Sequence, residues 1–294
     1  MKQVVIENPV INSPFEEPRR HFRFTDEGIT DEIVDARRVS SYFIPIARPK
    51  KKGKQRHFET EWTQDRIEKN QTVNAIREKV ALWREGSHAD DTTRVTARLL
   101  DHWNGTERSR RLFFCQIEAM ETLIYITEVA KKYGHSWIEN DLRRFNEDAN
   151  PGLLRIASKM ATGSGKTVVM AMIIAWQALN KIANPQDARF TDSFLIVTPG
   201  ITIRDRLRVL LPNDPQNYYR SMEIVPSDLF DELGKAKIIV TNFHAFKRRE
   251  KVKAAKLTKE LLKQGDESAF TESEAEMARR VTRGLGNKKN VIVI

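Results

Sequence analysis

Cysteine is almost missing from this sequence. Cys115 is the only one in 294 residues, so no internal disulfide can form. The six histidines show none of the paired spacings a zinc site needs, which removes the usual structural metal. No apolar run approaches the roughly 20 residues of a membrane span, and the opening Met1-Lys2-Gln3-Val4-Val5-Ile6-Glu7-Asn8 lacks the apolar core of a secretory signal. A cytoplasmic chain with no membrane partner is the expectation, and no internal repeat is apparent. Charge, by contrast, is plentiful: 50 Lys and Arg against 40 Asp and Glu leave a net +10 and a pI near 9.6. That excess favours a polyanionic partner, although solvated basic side chains would produce it equally well. At 40% hydrophobic residues the chain can bury a core and could hold two ordinary domains, or one large α/β domain with an appendage.

Residues 1–60 carry Pro9, Pro14, Pro18, Pro45 and Pro49 and end in the basic run Arg48-Pro49-Lys50-Lys51-Lys52-Gly53-Lys54-Gln55-Arg56, which reads as an extended, mostly irregular arm. That run could lie along nucleic acid or simply be a solvated loop. Residues 61–108 read as a helical region, with Ile67, Ile76, Val80 and Trp83, then Val95, Leu99, Leu100 and Trp103, at helical spacing. A further helix is expected over 116–131, where Ile117, Met120, Ile124 and Thr127 share a stripe and Gly134 closes the segment. Beyond Asn150-Pro151-Gly152, short apolar strands at 153–158, 193–197, 237–240 and 291–294 alternate with helical segments. The pattern predicts an α/β domain over 109–294, a parallel sheet with helices on both faces, interrupted by a charged helical or loop insertion at about 247–289.

Within that domain lies Ala161-Thr162-Gly163-Ser164-Gly165-Lys166-Thr167, between an expected strand and a long apolar helix. Backbone N–H groups that converge on phosphate oxygens need glycine where a Cβ would obstruct them, here Gly163 and Gly165. Lys166 would supply a point charge to the outer phosphates, and the Thr167 hydroxyl one ligand to a magnesium ion. Thr162 and Ser164 complete the loop. A glycine turn capped by Thr162 or Ser164 is the bland alternative, which the combination of Gly163, Gly165, Lys166 and Thr167 argues against. Met160 stands where the strict phosphate-loop pattern begins with glycine, a departure that weakens a generic kinase reading.

The string Lys159-Met160-Ala161-Thr162-Gly163-Ser164-Gly165-Lys166-Thr167 resembles motif I of superfamily 2 DEAD/DEAH-type helicases, in the form used by restriction-enzyme motor subunits. Arg111-Leu112-Phe113-Phe114-Cys115-Gln116-Ile117-Glu118-Ala119 resembles the glutamine-bearing stretch that contacts adenine in that superfamily. A Gln amide offers the donor and acceptor needed at the adenine edge, and Phe114 is near enough in sequence to pack on the base. The segment 195–207, with Thr198, Pro199, Gly200 and Arg204, resembles motif Ia. Ile239-Val240-Thr241-Asn242-Phe243-His244 resembles motif Ib. In the superfamily such loops hold the nucleic-acid backbone, and phosphate contacts of this kind give affinity without reading sequence. Residues 6–9 and 22–30 add a likeness to type III restriction endonuclease Res-like subunits.

The resemblance implies a RecA-like phosphate-loop NTPase domain that uses ATP and Mg2+. It further implies double-stranded DNA as partner, a possible methyltransferase or specificity subunit, and DNA translocation or unwinding by the intact protein. Motif II, a second RecA-like domain and its arginine finger are not in the sequence, and the end at Asn290-Val291-Ile292-Val293-Ile294 reads as a strand that stops before the catalytic acid. The expectation is therefore an incomplete first RecA-like domain that binds nucleotide but hydrolyses it poorly. The competing readings are an RNA helicase portion and a non-catalytic nucleotide-binding interaction module. Cys115 is expected to be a buried small side chain, and His244 to pack beside its strand end.

Overall fold

The computed structural model describes residues 6–25, 28–43, 67–86, 90–249, 272–286, 288 and 290–294. The strands are β1 (His21–Thr25), β2 (Gly28–Val34), β3 (Ser41–Phe43), β4 (Ile67–Lys69), β5 (Ser193–Thr198), β6 (Lys237–Asn242) and β7 (Ile292–Val293). The helices are α1 (Gln71–Glu85), α2 (Arg94–Asn104), α3 (Phe114–Ile124), α4 (Trp137–Ala149), α5 (Lys166–Ala183), α6 (Ile201–Arg206), α7 (Tyr218–Ser221), α8 (Phe230–Leu233) and α9 (Glu274–Thr282). They fall into two compact units, Met1–Thr92 with Arg111–Ser164, and Thr93–Arg110 with Gly165–Ile294. The segment 61–108, one helical region by its apolar spacing, thus gives α1 to the first unit and α2 to the second. The basic run 48–56 and most of the charged insertion lie outside the described residues.

In the first unit, residues 21–25 and 28–34 are more regular than the expected arm. β1 and β2 form an antiparallel hairpin in which Phe22 faces Ile33 and Phe24 faces Ile29, the aromatic and β-branched cross-strand pairs that favour sheet over coil. β3 pairs antiparallel with β4. The Asn74 amide brackets Ser40, accepting from its N–H and donating to its carbonyl, both at 2.9 Å, which ties α1 to the strand region. Ile76, Val80 and Trp83 of α1 and Ile117, Met120 and Ile124 of α3 are buried. α3 continues into a π-helical turn over Tyr125–Val129. The extra residue in that turn moves the buried stripe off Thr127 and onto Tyr125, Glu128 and Val129, a shift that a uniform 3.6-residue period cannot anticipate.

The strand expected at 153–158 does not form. Leu153, Leu154 and Ile156 are exposed, and the backbone of Arg155 is bonded instead by Asn146, whose Nδ2 donates to its carbonyl at 2.7 Å and whose Oδ1 accepts its N–H at 2.8 Å. A strand needs a neighbouring ladder for its polar groups, and among the described residues this segment has the turn bond from the Leu153 N–H to the Asn150 carbonyl and a side-chain substitute at Arg155.

The second unit is built on a parallel sheet in the order β6-β5-β7, flanked by helices. β5 is central, with Leu195 opposite Ile239 on one side and Val293 on the other. Leu195 packs with Val281 and Leu285, next to Val197, Ile239 and Phe246. By the two-residue alternation of a strand, Phe194 and Ile196 point to the opposite face, where both are fully buried. α5 is buried nearly all round from Val168 to Asn180, as its apolar composition requires. Its polar residues are matched inside the unit: Trp176 Nε1 donates to Thr96 Oγ1 at 3.1 Å, and Asn180 Nδ2 to the same oxygen at 2.9 Å.

α2 and the turn after it are fastened within this unit by three successive carbonyls. Arg108, His102 and Trp103 donate to the carbonyl oxygens of Met222, Glu223 and Ile224 at 2.9, 2.8 and 2.8 Å. Glu223 has φ +52°, a left-handed conformation uncommon for a residue with a side chain, here surrounded by these bonds.

Ile196→Ala should lower the unfolding free energy by about 2–5 kcal/mol, whereas Val293→Ala on the exposed side of β7 should change it by less than about 0.5 kcal/mol; urea titration of both variants checks the placement of the core. Burial holds the His102 imidazole below its ordinary range, against the smaller opposing pull of its bond to Glu223. The unfolded chain therefore takes up this proton first, and stability present above about pH 6.5 is lost as pH falls toward the lower folded value. His102→Gln should flatten that part of a melting-temperature profile against pH, and a profile as steep as the wild type's would remove His102 from the account.

Candidate functional site

Residues 161–167 form a turn followed at once by helix α5. Ser164 Oγ donates to the Ala161 carbonyl at 2.7 Å, closing the turn. Gly163 has φ +82° and Gly165 φ +77°, both in the left-handed region that side chains with a Cβ resist. Gly165 is the N-cap of α5, and its carbonyl accepts the N–H of Val168 at 2.9 Å. Lys166 and Thr167 are thus the first two helical residues, at the positive end of an 18-residue helix. Ala161, Thr162, Gly163 and Lys166 are exposed. Left-handed glycines in a turn that opens a helix turn backbone N–H groups toward one concavity, which suits an anion.

Gln116 lies beside this loop rather than open to solvent. It is 4% exposed, its Oε1 accepts the Phe113 N–H at 2.9 Å, and its Nε2 donates to the Ser164 carbonyl at 3.0 Å. Both ends of the amide expected to read adenine are therefore engaged, one on the first turn of α3 and one on the phosphate loop. Phe114 lies near two cations: the guanidinium carbons of Arg84 and Arg37 are 4.9 and 5.6 Å from its ring centroid. Arg37 also bonds Glu17 and Glu118 at 2.5 and 2.6 Å, and Arg84 bonds Glu121 at 2.7 Å. Burial alone would lower the Arg37 guanidinium, but its bonds to the Glu118 and Glu17 carboxylates outweigh that and raise it. Arg84 and Arg37 precede Phe114 by 30 and 77 positions, so no local pattern announces them.

Cys115, expected to be buried, is exposed; partial desolvation pushes its thiol upward, which disfavours the nucleophilic thiolate.

The strand-end residues gather at the carboxyl ends of β5 and β6, where Thr198 is in register with Asn242 and Val197 with Thr241. Thr198 is buried, and its hydroxyl lies 3.0 Å from the Gly200 carbonyl and 3.2 Å from that of Thr241. Asn242 Oδ1 accepts the Ala245 N–H at 3.1 Å and caps the turn Phe243–Phe246. Pro199 is exposed, Gly200 precedes α6, and Arg204 pairs with the adjacent Asp205 at 2.8 Å. Phe243, passed over in the sequence, is 61% exposed beside Asn242, and His244, expected to pack at the strand end, is itself exposed with its ring 6.0 Å from that of Phe243.

The family model described as type III restriction enzyme, res subunit, matches residues 109–281, more than half of the chain. No curated protein and no solved structure matches it. Among the described residues no helix is long and apolar enough to cross a membrane.

Gln116→Leu tests the buried amide. It leaves the Phe113 N–H and the Ser164 carbonyl without these partners at similar side-chain volume, and should cost about 1–3 kcal/mol of stability; a denaturation midpoint equal to the wild type's would mean that the two bonds contribute nothing in solution.

Proposed function

As the chain belongs to the type III restriction enzyme res-subunit family, a family of helicase-like ATP-dependent motors that act on DNA, we propose that it is the ATP-binding motor portion of a DNA helicase or translocase from a restriction-modification system. The observation that carries this reading is the loop 161–167, with left-handed Gly163 and Gly165 immediately before the helix that begins at Lys166. Space at Gly163 is open: a Cβ there would meet no neighbouring atom within 4 Å, so the glycine is demanded by conformation and leaves room for a phosphate.

In this reading Lys166 neutralises the outer phosphates of ATP, and the Thr167 hydroxyl takes one position on Mg2+, with Thr162, Gly163, Ser164 and Gly165 supplying the backbone cradle. Bound ATP would bring the phosphoanhydride whose cleavage drives movement, and Mg2+ would neutralise the charge of its phosphates. Phe114 and Gln116 face the base, and Gln116 must release at least one of its two present partners to do so. Residues 109–294 then act as the motor domain, and 1–60 and 61–108 as the segments before it. The loops after β5 and β6 hold the backbone of double-stranded DNA through Arg204, Thr241 and Asn242 and through the backbone at Pro199 and Gly200. Thr198 shapes that loop with its internal bonds. A methyltransferase or specificity subunit would choose the site on the DNA. In this reading the 294 residues bind nucleotide better than they turn it over.

The test is equilibrium binding of a fluorescent ATP analogue with magnesium, with phosphate release followed in the same samples. Lys166→Ala should weaken binding at least tenfold, roughly the worth of one lost charge-assisted contact, and turnover should be slow in both proteins. Equal binding by the two, or none by either, would refute the nucleotide reading. Anisotropy with duplex DNA and with RNA at low salt tests the second half, since phosphate contacts are strongest there; preference for RNA would replace DNA as the partner, and binding to neither would leave a nucleotide-dependent protein-interaction module.

A further inference from the structure

The stretch 111–118 is braced by residues far upstream. Helix α3 starts after Phe113, whose side chain has no oxygen with which to cap the helix, so its first N–H groups need other acceptors. Phe114 N–H finds the Pro14 carbonyl at 2.8 Å. Phe15 lies on Phe113 with ring centroids 5.7 Å apart, and the Arg111 guanidinium stands 4.6 Å from the Phe15 ring. Arg37 completes the brace by bonding Glu17 and Glu118 while lying beside the Phe114 ring. The same helical turn carries Gln116 and its bond to Ser164 of the phosphate loop.

We propose that Pro14, Phe15 and Arg37 are a built-in brace for nucleotide-base recognition, with Arg37 the positioning residue that sets the placement of Phe114 and Gln116 and hence the preference among bases. The proposal rests on the reading of this stretch as the base contact. A planar guanidinium can bond two carboxylates and lie against a ring at once, and an ammonium cannot reproduce that geometry. Without the fork, Phe114 and the first turn of α3 lose their fixed position, so contacts to the base weaken. Phosphate contacts made by 163–167 draw on glycine conformation and the start of α5, and reach Arg37 only through the single Gln116–Ser164 bond, so they depend on it far less than contacts to the base. Loss of Arg37 should therefore separate the two halves of the ligand.

The experiment uses the whole chain, a fluorescent ATP analogue and Mg2+, with unlabelled ATP, GTP and tripolyphosphate as competitors. Arg37→Ala should weaken ATP roughly tenfold and bring the ATP-over-GTP ratio toward unity, while tripolyphosphate competes as in the wild type. Arg37→Lys should restore only part of the ratio, and Phe15→Ala, which keeps the ion pairs, should move it the same way by less. A wild type that does not distinguish ATP from GTP overturns the proposal, as does an Arg37→Ala protein that keeps the wild-type ratio. Equal weakening of ATP and tripolyphosphate also overturns it, since Arg37 would then serve folding alone. If Arg37→Ala fails to fold by circular dichroism, an unchanged ratio in both Arg37→Lys and Phe15→Ala overturns it. A wild type that binds neither ATP nor tripolyphosphate is a different failure, that of the nucleotide reading itself.

Discussion

The backbone donors at the start of helix α3 must be bonded to something, and the candidate site in the first unit is organised by how that demand is met. An N-terminal helix turn leaves its first N–H groups without intrahelical acceptors; the Phe113 carbonyl at the N-cap takes the Gln116 N–H at 2.9 Å, but the Phe113 side chain has no oxygen to accept another. Pro14 provides a carbonyl for Phe114, while Gln116 accepts the Phe113 N–H through Oε1 and donates from Nε2 to the Ser164 carbonyl. One capping problem thus links a segment near residue 14, the stretch 111–118 and the phosphate loop. Leaving any of these groups buried and unbonded would cost on the order of 1–3 kcal/mol, which is large beside the net stability of a domain.

The charged cluster around Phe114 has a different logic. Glu17, Glu118 and Glu121 face Arg37 and Arg84 in a half-buried setting, where desolvation consumes much of the Coulomb attraction. Such a cluster adds little to net stability. It discriminates strongly among arrangements, since displacing one member strands the others: Arg84 Nη2 and Glu118 Oε1 are already buried without hydrogen bonds, 3.7 Å apart. The position of the Phe114 ring is consequently fixed by geometry more than by hydrophobic burial.

In the second unit the organising element is β5, bonded on both sides and buried on both faces. Parallel pairing makes β5 and β6 end together, which brings 198–200 next to 241–242, and this follows from register rather than from any attraction between those loops. α2 and the turn after it join this unit through side chains that reach three successive carbonyls. A periodic apolar stripe says only that a helix is buried somewhere; the carbonyls at 222–224 determine where.

Periodicity and turn chemistry were enough to read α5, β5, β6, most of α3 and the glycines of the phosphate loop, because each depends on interactions within a few residues of chain. The left-handed requirement at Gly163 and Gly165 is local in the same sense, and so is the likeness of 159–167 to the helicase motif I. What tertiary structure alone decided is who satisfies whom. The apolar run 153–158 forms no strand because a strand requires a neighbour, and here Asn146 takes that place for Arg155. The π-helical turn after Ile124 redirects the buried face by one residue, and the hairpin at 21–34 depends on cross-strand pairs invisible along one strand. Gln116 could be singled out from its setting in sequence, but its two partners, and the bracing of Phe114 by Arg37, depend on contacts across 48 and 77 positions. Local conformational preference is written residue by residue, whereas hydrogen-bond and charge partners are chosen only when distant segments are brought into contact.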